Sequence, residues 1–249
     1  MSVYNKRKIE VIFSPALFEY REIKENYITV IVDILRASTS ICTAFKWGVK
    51  AIIPVKDIEK VMEFKSKGYI VAGERLEEKF SFADLGNGAY EFMNNNLKGK
   101  EIVHSSTNGT KAIEMARNAN SDEILIGAFS NIDYLKDYII KQDKNVVLLC
   151  SGWKNSFSME DSLFCGLLAL KLMESGKYIN HNDSTFAAID LWKASSGNLM
   201  DSIIIKASHI HRLRKYNMDN IFQYTFTFNT CRVLPKMYED RLKDALVND

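Results

Sequence analysis

Three segments of the chain join an apolar, strand-like run to a loop rich in hydroxyl, amide and acidic side chains, and each loop precedes a predicted helix. The segments run from Val30 to Ser40, from Ile102 to Thr110 and from Val147 to Asp161. The beginning of a helix carries unpaired backbone N–H groups and the positive end of the helix dipole, which favour a bound anion. The three loops therefore predict one shared anion site.

Carboxylates stand at the ends of the same kinds of strand. Asp33 and Glu74 each follow a largely apolar run, and Glu160 with Asp161 begins the helix after the third loop. Carboxylate oxygens suit a hard divalent cation such as Mg²⁺. We therefore predict that Asp33, Glu74, Asp161 and Glu160 lie near one Mg²⁺ ion.

These acids also have structural interpretations. Asp161 completes a Ser-x-x-Asp pattern typical of a helix cap. Asp33 and Glu74 each have an arginine within three residues, Arg36 and Arg75, so an ion pair is the alternative for either acid. The sequence leaves both alternatives open.

The loops also supply donors for a phosphate or a similar oxyanion. Arg36 and Arg75 offer planar guanidinium groups that fit oxyanions. We place Asp33, Arg36, Glu74 and Asp161 at the catalytic centre. The predicted substrate-binding donors, with hydroxyl, amide or backbone groups in the loops, are Ser38, Thr39, Arg75, Ser106, Thr107, Asn108, Gly109, Thr110, Ser151 and Gly152.

Histidines and cysteines are weaker candidates. His104 adjoins the second loop, and we interpret it as a structural histidine on its strand in preference to a proton donor. His209 and His211 are two residues apart, so a helix would direct them to different sides and no metal pair is predicted. The four cysteines lack CxxC spacing, which predicts reduced, buried thiols.

Apolar, β-rich runs alternate with helical patterns over most of the chain. The runs lie at about residues 9–13, 28–34, 50–55, 69–73, 101–104, 123–128 and 145–150. This alternation predicts an α/β fold with a largely parallel sheet that helices cover on both faces. Ligands of such sheets bind at the carboxyl ends of the strands.

A faint internal repeat relates residues 57–61 to residues 131–135, each after a hydroxyl-rich loop, a helix and a second strand. The similarity fits two related β-loop-α-β-α units and, equally, the general rhythm of α/β proteins. From about residue 183 the pattern is mostly helical, over 184–194 and 200–216, and a last strand-like stretch covers 222–234. With 3 prolines and no linker-like segment, we predict one compact domain over residues 1–249.

The amino-acid composition limits the classes of partner expected for this protein. Of the 249 residues, 33 are basic and 31 acidic, so the net charge of +2 predicts no general attraction to nucleic acid or membranes. No apolar run approaches the ~18 residues that span a bilayer, and no long apolar region follows the basic start. We expect a cytoplasmic protein with a small anionic substrate, and leave self-association into a homo-oligomer open.

Five ordered motifs together resemble the 2-phosphosulfolactate phosphatases. They are Asp33-Ile34-Leu35-Arg36-Ala37-Ser38-Thr39, Gly73-Glu74-Arg75, Asp84-Leu85-Gly86-Asn87, Ser106-Thr107-Asn108-Gly109-Thr110, and Cys150-Ser151-Gly152 with Met159-Glu160-Asp161. The resemblance spans roughly residues 9–235. It implies a three-layer α/β/α fold with a mostly parallel or mixed sheet, and a Mg²⁺-dependent phosphatase. The implied reaction converts 2-phospho-3-sulfolactate into 3-sulfolactate on the route to coenzyme M or related sulfonates.

Two segments depart from the family pattern. Residues 76–80 replace a segment that is usually glycine-rich, and residues 153–156 replace small residues and glycine. Both lie beside the predicted pocket, so the exact substrate stays open. A phosphatase for another small phosphorylated acid and a non-enzymatic anion-binding protein are the alternatives. For catalysis we favour direct attack by metal-assisted water over an aspartyl-phosphate intermediate.

Overall fold

A computed structural model describes residues 6–76, 78–215 and 220–247. Its eleven strands form one mixed sheet. They are β1 (Arg7–Ile12), β2 (Tyr27–Val32), β3 (Ala51–Pro54), β4 (Ile70–Arg75), β5 (Glu78–Lys79), β6 (Glu101–Ser105), β7 (Glu123–Gly127), β8 (Asn145–Cys150), β9 (Tyr178–Asn180), β10 (Pro235–Tyr238) and β11 (Arg241–Asp244).

Helices connect most of the strands. They are α1 (Ala37–Lys46), α2 (Ile58–Ser66), α3 (Gly109–Asn118), α4 (Ile132–Gln142), α5 (Met159–Glu174), α6 (Asp183–Ser195), α7 (Leu199–Lys206), α8 (Ser208–Arg214) and α9 (Asn220–Thr225), with a 3₁₀ segment at Pro15–Tyr20. The α/β class is confirmed, and the mixed sheet with its helices is consistent with three α/β/α layers. No helix in the described ranges is both long and apolar enough to cross a membrane.

The strand order is β5-β4-β6-β3-β11-β10-β7-β2-β8-β1-β9. The predicted repeat gives each β-loop-α-β-α unit two strands, β2 and β3 in the first unit and β6 and β7 in the second. In the sheet, β6 lies between β3 and β4, and β2 lies between β7 and β8, all in parallel. The first strand of each unit therefore pairs with the second strand of the other unit, and the relationship between the two units stays a prediction.

The hairpin of β10 and β11 joins the two groups of strands. It pairs with β7 on one side and with β3 on the other, antiparallel in both cases. The prediction of a strand over 222–234 is therefore wrong: residues 220–225 form α9, and the strands follow Leu234. The apolar residues of that stretch are buried without strand geometry, because Phe222, Phe226 and Val233 pack into the main core.

The predicted helix over 200–216 is two helices, α7 and α8, separated at Ala207. Ala207 has extended backbone angles, φ −79° and ψ 111°, and it is buried. This break turns α8 so that its residues contact the strand-end loops. Glu77 and Tyr216, which fell within predicted segments, lie outside the described residues.

The strand β2 shows why the core forms here. Every residue of its sequence Tyr-Ile-Thr-Val-Ile-Val is buried, as expected for a strand with helices on both faces and strands on both sides. The main hydrophobic cluster surrounds it and draws on β1, β7 and β8. Asp33 therefore follows a strand that is fixed along its whole length.

The helix α3 brings two distant loops together. Five spacings of about 4.8 Å would hold β2 and β6 about 24 Å apart in a flat sheet. Nevertheless, a Cβ atom built on Gly109, the first residue of α3, would lie 2.9 Å from Asp33 Oδ2, after β2. The helix packs against β2 and β7, so the loop after β6 leads across the sheet to the loop after β2.

Candidate active site

One cleft collects side chains from all three loops, from the end of β4 and from α8. The space between these side chains is about 210 Å³, part of which is open to solvent. Its lining residues are Asp33, Leu35, Arg36, Glu74, Asn87, Asn108, Trp153 and His209. The cleft is the place where the sequence-predicted loops meet.

Asp33 presents a buried carboxylate at this cleft. Its Oδ1 accepts a hydrogen bond from the Ala37 N–H at 3.3 Å, and its own N–H donates to Ser38 Oγ at 2.9 Å. Burial raises the pKa of Asp33 to about 6; His209 opposes this rise, whereas the charges of Glu74 and Glu160 add to it. Burial, with the nearby Glu74 and Glu160, therefore disfavours the charged form of this carboxylate.

Glu74 links the end of β4 to the second loop. Its Oε1 accepts from the Thr107 N–H at 2.8 Å, and its Oε2 accepts from Thr107 Oγ1 at 3.2 Å. Arg36 Nη2 lies 3.9 Å from the same Oε2, and both side chains are about 6% exposed. Glu74 therefore forms an ion pair across the cleft lining with Arg36, the arginine that the sequence suggested for Asp33.

Arg75 is placed differently. It donates to the backbone oxygen of Glu74 at 2.8 Å and to Ser105 Oγ at 3.0 Å, and its guanidinium lies 5.1 Å from the Phe80 ring centroid. Burial lowers the pKa of Arg75, against the effect of Glu74. Arg75 does not belong to the cleft lining, so the structure places this predicted substrate ligand behind the site.

Asp161 connects the first and third loops. Its Oδ1 accepts from the Ile34 N–H at 2.9 Å, and its Oδ2 accepts from the Gly152 N–H at 3.1 Å. Burial raises the pKa of Asp161 well above its ordinary range, with further contributions from Glu160 and Asp33. Both oxygens are engaged by backbone donors, so the acid organises the loops around the cleft.

Glu160 pairs with a histidine from α8. Its Oε1 lies 2.9 Å from His209 Nδ1, and both residues are buried. Burial alone would raise the pKa of Glu160, but the hydrogen bond and the charge of His209 hold it below its ordinary value. His209 in turn lines the cleft, so this pair attaches the helical C-terminal part to the site.

The hydroxyl groups of the first two loops mostly stabilise their own turns. Thr39 Oγ1 donates to the Ile34 oxygen at 2.8 Å, and Thr110 Oγ1 donates to the Ser106 oxygen at 2.7 Å. The Thr110 N–H donates to Ser106 Oγ at 3.2 Å. Part of the donor capacity at these helix starts is therefore used within the chain. Of the predicted substrate donors, only Asn108 is among the residues that line the cleft.

Two glycines have conformations or contacts that other residues do not tolerate. Gly152 has φ +60°, and a Cβ there would lie 2.3 Å from the Ser156 oxygen. A Cβ on Gly109 would lie 2.9 Å from the Ala37 Cβ. These glycines permit the tight third loop and the contact between the first two loops. Ser151, beside Gly152, is buried, and its Oγ has no hydrogen-bond partner among the described residues.

The departure at residues 153–156 builds one side of the cleft. Lys154 N–H donates to Asn108 Oδ1 at 3.2 Å, and Lys111 Nζ donates to Asn155 Oδ1 at 2.6 Å. Ser14 Oγ also donates to the Asn155 backbone oxygen. These contacts hold the third loop against the second loop and fix the position of Trp153.

Four residues of the lining were not among the predicted site residues: Leu35, Asn87, Trp153 and His209. Trp153 belonged to a segment noted only as a departure, and Leu35 and Asn87 lay within motifs of the family resemblance without an assigned role. His209 lies 49 residues from its partner Glu160, so no local spacing identifies it. The expectation that His209 and His211 do not form a metal pair gave no hint of the contact between His209 and Glu160.

His104 lies beneath the cleft. Its Nε2 is 2.9 Å from Asn87 Oδ1, and burial, together with Arg75, lowers the pKa of His104 to about 4. His104 is therefore buried and neutral, and its contact with Oδ1 orients the Asn87 side chain.

The predicted metal set divides into two pairs. Within the described residues, no group of three or more His, Cys, Asp or Glu side chains has a geometry that could hold a metal ion. Asp33 and Glu74 line the cleft, whereas Asp161 and Glu160 are engaged with backbone donors and with His209. Because Mg²⁺ commonly uses only one or two carboxylates with waters and substrate phosphate oxygens, the Asp33 and Glu74 pair fits such an ion.

Comparisons with known proteins agree with the sequence resemblance. A family model described as 2-phosphosulpholactate phosphatase matches residues 12–240. A probable 2-phosphosulfolactate phosphatase of Carboxydothermus hydrogenoformans is 33% identical over 239 residues, which are 94% of this chain and 96% of the relative. One of Caldanaerobacter subterraneus subsp. tengcongensis is 31% identical over 221 residues, 87% of this chain and 90% of the relative.

A third relative, a probable 2-phosphosulfolactate phosphatase of Thermotoga maritima, is 32% identical over 208 residues, 84% of this chain and 88% of the relative. The match extends from β1 to the hairpin of β10 and β11, so it includes every loop of the cleft. The predicted resemblance is thereby confirmed. The chain belongs to the 2-phosphosulfolactate phosphatase family and is, by that membership, a phosphoric monoester hydrolase.

Proposed function

We propose that this protein is a Mg²⁺-dependent phosphatase that hydrolyses 2-phospho-3-sulfolactate to 3-sulfolactate and inorganic phosphate. We further propose that it acts in the cytoplasm, on a route to coenzyme M or related sulfonates. The convergence of Asp33, Glu74 and Arg36 at one cleft, in a member of this family, is the observation that supports the proposal.

Charge balance favours a cation at Asp33 and Glu74. Burial raises the pKa of Asp33 and the charge of Glu74 adds to this rise, so a cation beside these two carboxylates would favour their charged forms. Of the two basic side chains in the lining, Arg36 and His209, the latter is paired with Glu160. A substrate with a phosphate and two further acidic groups would add several negative charges. Mg²⁺ held by Asp33 and Glu74 would supply the missing positive charge and polarise the phosphoryl group.

The residues of the chain have the following roles in this proposal. Arg36 binds non-bridging phosphoryl oxygens, for which its planar guanidinium is suited. A water molecule attacks phosphorus, the bond from phosphorus to the ester oxygen breaks, and the leaving oxygen takes up a proton. We favour this direct attack because phosphoryl transfer gains mainly from positioning and charge neutralisation. Asp161 and Gly152 keep the first and third loops in register around the reacting groups.

Phosphate release across a panel of small phosphomonoesters tests the proposal. The panel contains 2-phosphosulfolactate, 2-phospholactate and 3-phosphoglycerate, each with Mg²⁺ or with excess EDTA. We expect the highest kcat/KM for 2-phosphosulfolactate, at least a tenfold loss with EDTA, and recovery on adding Mg²⁺. The Asp33→Asn variant serves as the matched inactive control.

The other outcomes are equally informative. Preference for 2-phospholactate or 3-phosphoglycerate would establish a phosphatase for another small phosphorylated acid. Phosphate release that persists unchanged in EDTA would exclude the metal from the mechanism. Binding of these compounds without any phosphate release would identify an anion-binding protein.

A further inference from the structure

A group of basic side chains surrounds Trp153 on one side of the cleft. The Arg212 guanidinium lies 4.4 Å from the indole ring centroid, and Lys154 Nζ lies 5.7 Å from it. The His209 ring centroid is 5.6 Å from that of Trp153. We call Trp153, Lys154, His209 and Arg212 the α8 basic cluster. Two of its members, Trp153 and His209, line the cleft directly.

The α8 basic cluster is separate from the carboxylates proposed for the phosphoryl group. Arg36 contacts Glu74, at 3.9 Å, and so belongs with the acids of the first loop and of β4. Trp153 and His209 contact each other and reach the cleft from the third loop and from α8. The cleft thus has two sources of positive charge on different structural elements.

The cluster is held in place by the fold. Glu160 fixes the His209 ring through Nδ1 at 2.9 Å, and the contacts of Lys154 N–H with Asn108 and of Asn155 with Lys111 fix the third loop. A preformed arrangement loses little conformational freedom on binding a ligand. Arginine stacked on an indole ring is also suited to weakly hydrated oxyanions.

From this geometry we infer that the α8 basic cluster binds the sulfonate group of the substrate and so determines the preference for a sulfonated phosphoester. The inference rests on the proposed function and deepens it. The phosphoryl group lies at Asp33, Glu74 and Arg36, and the carbon that carries the sulfonate extends toward Trp153 and Arg212. Residues 153–156, which depart from the family pattern, then form part of the sulfonate subsite.

Substrates with and without the sulfonate test the inference. Steady-state kinetics are measured for 2-phosphosulfolactate and for 2-phospholactate with the wild type, Arg212→Gln and Lys215→Gln. Lys215 is the matched control, because it is exposed at the end of the same helix and its substitution removes the same charge. We expect Arg212→Gln to raise KM for 2-phosphosulfolactate about tenfold with kcat within about twofold. Its kcat/KM for 2-phospholactate and all constants of Lys215→Gln should stay within about twofold of wild type.

A second variant and a binding measurement complement the kinetic test. Lys154→Gln, which removes a charge over the Trp153 ring and leaves the phosphoryl site intact, should weaken binding of 3-sulfolactate, measured by calorimetry, and leave binding of inorganic phosphate unchanged. Equal loss for both substrates, an equal effect of Lys215→Gln, or unchanged kinetics in Arg212→Gln would overturn the inference. Failure of the proposed function is distinct, because the wild type itself would then not release phosphate from 2-phosphosulfolactate, whereas 3-sulfolactate binding still reports on the subsite.

Discussion

Two pairs of acids at the ends of strands and loops have the same residue types but different surroundings. Asp33 and Glu74 line the cleft, and the carboxylate of Asp33 accepts a single hydrogen bond from the described chain, at Oδ1. Asp161 accepts a backbone N–H at each oxygen, and Glu160 is paired with His209. The first pair lines the cleft, although Glu74 also accepts a hydrogen bond from Thr107 at each oxygen, and the second pair is turned toward the protein.

The difference shows that proximity alone does not define a metal site. All four acids are buried and are near enough to influence one another, since Glu160 and Glu74 both raise the pKa of Asp33. A carboxylate oxygen that accepts one hydrogen bond keeps a second lone pair for a cation, so access from the cleft is what separates the two pairs. We therefore expect substitutions in the cleft-facing pair to reduce turnover, and substitutions in the loop-bound pair to reduce stability.

The largest effect should come from Asp33→Asn. The amide keeps the size of the side chain but removes the charge proposed to hold Mg²⁺, so kcat should fall by on the order of 10³-fold or more. Asp161→Asn is the matched change in the other pair. It leaves one buried backbone N–H without an acceptor, so the free energy of unfolding should fall by about 1–3 kcal/mol while kcat stays within about tenfold. Steady-state kinetics and urea denaturation of both variants measure the contrast; an inactive but fully stable Asp161→Asn protein would place Asp161 in the metal set.

The buried histidine beneath the cleft should contribute to the dependence of stability on pH. Because folding lowers the pKa of His104 to about 4, its contribution is present above its ordinary pKa and is lost as the pH falls through about 4. Between pH 6.5 and 4 the loss should be about 2 kcal/mol. His104→Gln keeps a donor for Asn87 Oδ1 but does not titrate, so its free energy of unfolding should fall less over this range. Urea denaturation of both proteins at pH 6.5, 5 and 4 measures the difference, and parallel curves would show that His104 is not held neutral.

Arg36→Lys tests the cation beside the cleft-facing acids. Lysine keeps the charge but lacks the planar group that binds two oxyanion oxygens, so KM should rise about tenfold, with kcat within a few fold. Michaelis curves for 2-phosphosulfolactate provide the measurement. A loss of kcat comparable with that of Asp33→Asn, at constant KM, would instead assign Arg36 to stabilisation of the transition state.

The smallest effect concerns the helix cap of the loop-bound pair. Ser158 Oγ accepts from the Asp161 N–H at 3.3 Å, so Ser158→Ala should cost about 1 kcal/mol of stability and change kcat less than about twofold. The matched control is Asp57→Ala, since Asp57 caps α2 by accepting from the Glu59 N–H at 2.9 Å. Thermal unfolding and phosphate release compare the two caps. A selective loss of turnover in Ser158→Ala would move the third loop into the reaction itself.

Local patterns were sufficient to predict the strands β1 to β4 and β6 to β8, because each has its own apolar run, whereas the two-residue β5 was not predicted. The hairpin of β10 and β11 was not predictable in this way. Its sequence, Pro-Lys-Met-Tyr and Arg-Leu-Lys-Asp, is polar for an interior hairpin, and it joins the sheet through single residue pairs with β7 and β3. Its placement depends on partners more than 100 residues away in sequence.

The predicted site residues that line the cleft are those at the ends of strands or in the loops that follow them. Asp33, Glu74, Arg36 and Asn108 follow predicted strands and do line the cleft. The pairing of Glu160 with His209 requires the helix break at Ala207, which tertiary packing determines. Donor groups such as Thr39 and Thr110 were assigned to ligands because a sequence does not reveal that their hydroxyls bond to nearby backbone oxygens.

The strand β2 lies between two strands that come much later in the sequence, and this order has a consequence for the nascent protein. β2 emerges from the ribosome well before its neighbours β7 and β8, whose pairing begins at Glu123 and Asn145. At about 5–20 residues per second, this strand waits on the order of 10 s for its partners. During that interval β2, which is largely apolar, lacks both of its neighbouring strands. The nascent chain therefore presents this strand as a binding segment for chaperones. Translation speed across residues 33–122 should therefore influence the yield of folded enzyme.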